Sequence, residues 1–161
     1  MKKTIVIFFF TVLTSSTLLA QEYNNAIGLR LGTSSGITFK HQLSEARMLE
    51  VLFTTRYHGW NFTGLYEIHA PAFDVSGLYW YYGVGGHVGF YDGKHNDNNP
   101  WFDDDDDDNH FIMGVDGIIG LEYQIGEIPF NVGIDWKPAF NIVEETGLWA
   151  DEFAFSVRYV F

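Results

Sequence analysis

The sequence predicts an all-β protein, a closed eight-stranded antiparallel up-and-down barrel that crosses a membrane with its strands. Three observations point there. Apolar and polar residues alternate with period two in eight separate runs. The chain is rich in aromatic residues and glycine, with 15 Phe, 9 Tyr, 5 Trp and 17 Gly, and it contains no cysteine. Beyond the first twenty residues, no apolar stretch is long enough for a membrane-spanning helix, which needs about 20 residues.

Those first twenty residues read as an export signal. Lys2 and Lys3 supply a positive start, Thr4 to Leu13 a short apolar run, and a polar stretch leads to Ala20. Cleavage after Ala20 leaves residues 21–161 as a single barrel domain. Loss of the two lysines takes the formal charge from −12 to −14. Such a balance excludes nucleic acid as a partner and a basic patch as a lipid anchor. The lack of cysteine excludes disulfides, thiolate metal sites and a lipidated cysteine.

The strands follow in chain order. Ile27, Leu29 and Leu31 oppose Gly28 and Arg30; Ile37 and Phe39 oppose Thr38, Lys40 and Gln42. Leu49, Val51, Phe53 and Tyr57 oppose Glu50, Thr54 and Arg56, and Phe62, Tyr66 and Ile68 oppose Thr63 and Glu67. Leu78, Trp80, Tyr82, Val84 and Val88 alternate with Tyr79, Tyr81, Gly83, Gly85 and His87. Met113, Val115, Ile119, Leu121 and Tyr123 alternate with Gly114, Asp116, Gly120 and Glu122. The last two runs are Phe130 to Phe140 and Phe153 to Phe161, with Asn131, Gly133, Asp135 and Lys137, then Ala154, Ser156, Arg158 and Val160, on the opposite faces. An even number of strands suits a ring without an open edge.

With both termini on one side, the turns there are Ser44–Arg47, Ala70–Gly77 and Gly126–Pro129. The other side carries loops Thr33–Gly36, His58–Gly59, Asp92–His110 and Asn141–Asp151, of which the last two are long.

A soluble lipocalin-like barrel would alternate in the same way with its apolar face inside. Three features favour lipid outside. Aromatic residues of the apolar face cluster near strand ends: Tyr57, Trp60, Phe90, Phe111, Trp136, Phe140 and Phe153 at one end, Trp80, Tyr82, Tyr123, Phe130, Tyr159 and Phe161 at the other. The second face balances its charges, with Arg30, Lys40, Arg56, Lys137 and Arg158 against Glu50, Glu67, Asp116, Glu122 and Asp135. Buried charges need such partners. Glycine on that face suits a narrow interior.

The alternating run Phe153, Phe155, Val157, Tyr159 and Phe161 resembles the C-terminal signature of outer-membrane barrels. Together with the length and strand count, it makes residues 21–161 similar to the small OmpA/OmpX-like eight-stranded family. The resemblance implies residence in a bacterial outer membrane, with membrane lipid as the surroundings. It further implies insertion by the barrel-assembly machinery, which reads the final aromatic. It implies no single activity, since this barrel hosts several.

Two groups stand out as candidate sites. The ten charged residues of the second face would fill the bore of an eight-stranded barrel as a plug, with a narrow porin-like channel as the alternative. The loop Asp92–His110 carries six consecutive carboxylates, Asp103, Asp104, Asp105, Asp106, Asp107 and Asp108. Their repulsion would be relieved by a hard divalent cation, Ca²⁺ or Mg²⁺, although the spacing lacks the Gly and final Glu of an EF-hand. His87 is expected to face inward; His58, His95 and His110 lie near the loops without a recognisable ligand set. Lipid A-modifying enzymes use barrels of this size. Yet His110 is followed by Phe111 and Ile112 rather than a His-x-Ser, and Ser156 has no histidine near it in its strand. A charged interior also leaves no room for an acyl chain. The residues therefore point to a non-catalytic barrel with a structural or surface-interaction role.

Overall fold

A computed structural model describes residues 24–56, 59–91, 110–143 and 146–161. Its ten strand segments are β1 (Asn25–Gly32), β2 (Ser35–Ser44), β3 (Arg47–Arg56), β4 (Gly59–Pro71), β5 (Leu78–Tyr91), β6 (His110–Ile125), β7 (Phe130–Trp136), β8 (Ala139–Val143), β9 (Gly147–Trp149) and β10 (Phe153–Val160). Pairing is antiparallel throughout, and β10 returns to β1 to close the ring. Because β6 pairs with β7 and then with β8, these two form one stave interrupted at Lys137 and Pro138. Proline has no N–H to donate to the ladder, which accounts for the break. In the same way β9 and β10 make the last stave, so ten segments build eight.

The closure is staggered. From Ile27 the paired positions run through Phe39, Val51, Gly64 and Gly86 to Val115. In the other direction they run through Tyr159 and Phe130 to Ile125, ten residues further along β6. A stagger of ten over eight staves sets a strand tilt of about 40° and a mean backbone radius of about 8 Å.

The two faces carry the expected residues. Outside stand Leu29, Leu31, Phe53, Phe62, Val84, Ile119, Ile134, Phe153 and Phe155, all exposed. Inside, Arg30, Lys40, Glu50, Glu67 and Arg158 are fully buried. This inverts the soluble barrel: apolar side chains point away from the bore and charges point into it. Rings meet near both strand ends, Trp60 with Phe90 at 4.8 Å and Phe90 with Phe111 at 4.9 Å at one, Phe130 with Tyr159 at 5.6 Å at the other.

Several expectations need correction. The span Asn141–Asp151, expected as a loop, contains the end of β8 and all of β9, because the outer parts of these strands pair with each other beyond the break at Pro138. Tyr79, expected inside, is exposed at the start of β5, where the alternation has not yet settled. The inner face is not uniformly polar. Leu52, Leu65, Tyr81 and Ile118 form one apolar cluster in the bore, and Tyr91, Ile112, Ala139 and Trp149 form another toward the loops. Three of the expected connections match: β2 to β3 through Glu45 and Ala46, β4 to β5, and β6 to β7. Tyr57, His58 and His95 lie outside the described residues, as do Asp103–Asp108 and residues 1–23.

Glycine is required at one closing position. A Cβ on Gly28 would collide with the Val157 carbonyl oxygen and come within 2.6 Å of the Arg158 Cα, both backbone atoms of β10. Gly64 on the outer face has nothing within 4 Å of such an atom. In equilibrium urea unfolding, Gly28→Ala is expected to lose about 1–3 kcal/mol, and Gly64→Ala to change stability by less than about 1 kcal/mol. Equal effects at the two positions would contradict the closing register.

Candidate functional site: the charged interior

Strand parity aims the charges, and the small radius brings opposite walls within reach of one another. Three cations come from β1, β2 and β10, as Arg30, Lys40 and Arg158, and the fourth is Lys137 in the break between β7 and β8. Most carboxylates come from the other strands: Glu50 on β3 and Asp135 on β7 beside that group, Glu67 on β4 and Asp116 and Glu122 on β6 farther round the ring. Long side chains therefore cross the bore rather than lie along it.

The end of the bore nearer the chain termini holds one cluster. Lys40 Nζ forms ion pairs with Glu67 at 2.8 Å and Glu122 at 3.3 Å, with Glu50 at 4.0 Å. Arg158 donates to Glu50 at 2.8 Å, to Glu122 at 3.2 Å and to the Thr38 hydroxyl at 3.1 Å, while Thr38 donates to Glu50. His69 is 2.9 Å from Glu67 and stacks on Tyr81 with ring centres 5.0 Å apart. The Lys40 ammonium sits 3.9 Å from the centre of the same tyrosine ring.

Toward the loops lies a second cluster. Arg30 donates to Asp135 at 2.7 Å and lies 3.5 Å from Glu152. Lys137 reaches Asp116 at 2.8 Å and Glu152 at 3.1 Å. Glu152 also accepts from the Ser34 hydroxyl at 2.7 Å. His87 lies between Asp116 and the Asn141 amide, 2.8 Å from each. Tyr81 joins the clusters, since its hydroxyl donates to Asp135 at 3.3 Å while its ring carries Lys40.

Nine of the ten charged residues assigned to the interior are buried there together. Arg56 is the tenth, its side chain as little exposed as that of Glu152. It ends β3 at the loop-side rim and pairs with Asp151, whose side chain is 53% exposed. The hydrogen bonds from the Arg56 guanidinium hold the Asp151 carboxyl below its ordinary range. Sequence reasoning missed Glu152 and His69 as members and left Tyr81 out of the site, although all three share the inward parity of their strands. With Glu152 added, the inward set has six carboxylates against five cations, one carboxylate more than the expected five-to-five balance. Two buried histidines, each beside a carboxylate, stand among them.

Chemically the arrangement is a filled one. Ser34 is committed to Glu152, and no hydrogen bond joins a serine to either buried histidine among the described contacts. The Ser156 hydroxyl and both polar atoms of the Asn131 amide are buried without a hydrogen-bond partner in the protein. Among the described residues no group of three His, Cys, Asp or Glu side chains could hold a metal ion. No family model matches the chain, and no curated protein does.

Removing one partner of a buried pair leaves the other charge uncompensated. Arg158→Ala leaves Glu50 and Glu122 with Lys40 as their one remaining cation among the described contacts and is expected to cost about 3–5 kcal/mol in urea unfolding. The rim pair behaves differently, because solvent screens Asp151. Asp151→Asn is expected to cost less than about 1 kcal/mol. The lowered carboxyl of Asp151 gives that pair its stabilising effect above the ordinary carboxylate range, and the effect fades as pH falls through the lowered value. An Arg158→Ala variant as stable as the parent would contradict the network.

Proposed function

We propose that this chain is a non-catalytic integral barrel of the bacterial outer membrane, similar to the small OmpA/OmpX-like proteins, with a plugged interior and a structural or surface-interaction role. One observation carries the reading: a closed ring whose outward surface is apolar from strand to strand. In water that surface would drive association, as exposed apolar patches do. Hydrocarbon is the solvent it fits, and a closed ring satisfies every backbone group there. Aromatic residues near both strand ends support the same setting.

The plug follows from the crossing ion pairs. Lys40 and Arg158 each engage carboxylates from other strands, and their side chains are fully buried. A conducting path would have to break several of these contacts at once. Membrane lipid is the proposed partner in place. During biogenesis the barrel-assembly machinery is a second, for which the alternating run Phe153–Phe161 would serve as the signal.

Fractionation of cells expressing the full chain is expected to place it with the outer membrane. On gels the unheated protein should run faster than the boiled one, as compact barrels do. Recovery in a soluble fraction, with no heat-dependent mobility, would end the membrane reading. Planar-bilayer recording separates plug from channel: steady single-channel conductance would overturn the plug while leaving the barrel in its membrane.

A further inference from the structure

We propose that the face formed by β1, β2 and β3 thins the bilayer beside it, so that its partner is a lipid annulus shorter than the one around β4 to β8. This rests on the membrane reading above.

Outward residues, followed along each strand, show the asymmetry. On β1, Ile27, Leu29 and Leu31 are bounded by Asn25 on one side and Thr33 on the other. On β2, Ile37 and Phe39 are bounded by Ser35 and His41, with Leu43 beyond at the turn. On β3, Leu49, Val51 and Phe53 are bounded by Arg47 and Thr55. The opposite wall is taller. Outward positions run from Trp80 to Phe90 on β5 and from Phe111 to Tyr123 on β6 with only the Tyr82 and Tyr123 hydroxyls and the Trp80 ring N–H as polar side-chain groups. Exposed Phe140, Ile142 and Leu148 continue that wall upward on β8 and β9.

The tilt converts these runs to heights. At about 2.5 Å of axial rise per residue, the apolar run is about 10 Å tall on β1 and β3, and about 25–30 Å tall on β5 and β6. A barrel's apolar band is ordinarily about 25 Å. The register then places positions on common levels. Thr33 lies about 15 Å above Ile27 along β1; Val115, five staves round the ring, is about 15 Å above it through the stagger. Asn25 and Tyr123 likewise share a level, about 5 Å below Ile27.

A flat slab covering Val115 would submerge Thr33, Ser35 and Thr55 at the same height. Tilting the whole barrel would not relieve this. Raising the outer rim of β1–β3 out of the slab would draw Asn25, His41 and Arg47 into it from below. The lower polar boundary of this face lies level with Tyr123 on the taller wall, so the fit is a bilayer thinned in the leaflet on the loop side. The runs differ by about 15–20 Å in height, and about 10–15 Å of that lies on the loop side.

The natural absence of cysteine permits a clean test. Single variants Thr33→Cys, Val115→Cys, Asn25→Cys and Tyr123→Cys of the full chain carry a nitroxide label in palmitoyl-oleoyl phosphatidylcholine vesicles. Collisions with oxygen and with a water-soluble nickel chelate report depth. The expected result is a Val115 label in the acyl region, with the Thr33 label shallower by about 5 Å or more. The Asn25 label should meet the nickel chelate no less than the Tyr123 label does. Equal depth at Thr33 and Val115 would overturn the proposal, as would an Asn25 label drawn into the acyl region, the signature of tilt. Four labels all in water would instead remove the membrane reading on which it stands.

Discussion

Eight staves with a stagger of ten enclose a bore about 8 Å in backbone radius, and this one dimension governs the remainder of the structure. Such a bore is wide enough for side chains from opposite walls to touch and too narrow for them to avoid one another. Every inward residue must therefore either be absent, as at Gly28, Gly83, Gly85 and Gly133, or find a partner across the ring. Glycine and charge are two answers to the same restriction. Where the chains approach closest there is no Cβ, and where side chains project they interlock.

Charge inside a narrow bore brings its own demand. Desolvating an ion costs several kcal/mol, and only well-placed opposite charges and hydrogen bonds offset that. The clusters satisfy this by sharing. Lys40 serves Glu67 and Glu122, Arg158 serves Glu50 and Glu122, and Lys137 serves Asp116 and Glu152. Sharing lets four cations reach six carboxylates, with Thr38, Ser34, Tyr81 and the two histidines adding contacts, while one oxygen each of Glu50, Glu67 and Asp135 has no hydrogen-bond partner in the protein. The apolar clusters around Tyr81 and Tyr91 complete the filling, so the bore is a mixed core rather than a column of ions.

Much of this was legible in the alternation alone. Parity separates Arg30, Lys40, Glu50, Glu67, Asp116, Glu122, Asp135, Lys137 and Arg158 from the apolar face without any knowledge of pairing. What parity cannot supply is where a strand stops. Glu152 has the inward parity of Ala154, Ser156 and Arg158, but it lies among acidic and small residues that read as a loop. Arg56 has inward parity too, yet β3 ends there and its partner stands at the rim. Leu52, Leu65, Ile112 and Ile118 are apolar residues on the inner face, so a rule that sorts faces by polarity passes over them. Height around the ring is the least legible property. It depends on the stagger, which only the pairing of β1 with β10 and of β5 with β6 determines.

The distribution of the ion pairs bears on the seam where the chain closes. Strands β1, β2 and β10 supply Arg30, Lys40 and Arg158, and none of them supplies a buried carboxylate within its own span. Their charges are answered by carboxylates on β3, β4, β6 and β7 and by Glu152, some beside them and some across the bore. The closing strands are thus tied to the rest of the ring twice, by the backbone ladder at the seam and by side chains through the centre. This second tie lies where the outer surface is least apolar, on β1 and β2, and where burial in lipid would hold the wall least strongly. An interior of hydrocarbon side chains would fill the same space but would not favour one wall over another. Opposed charges do, because each cation on the seam has carboxylates on particular other strands, and slipping β1 or β10 by one residue would turn Arg30 or Arg158 out of the bore. The network therefore selects the closing register as well as occupying the space that the register creates.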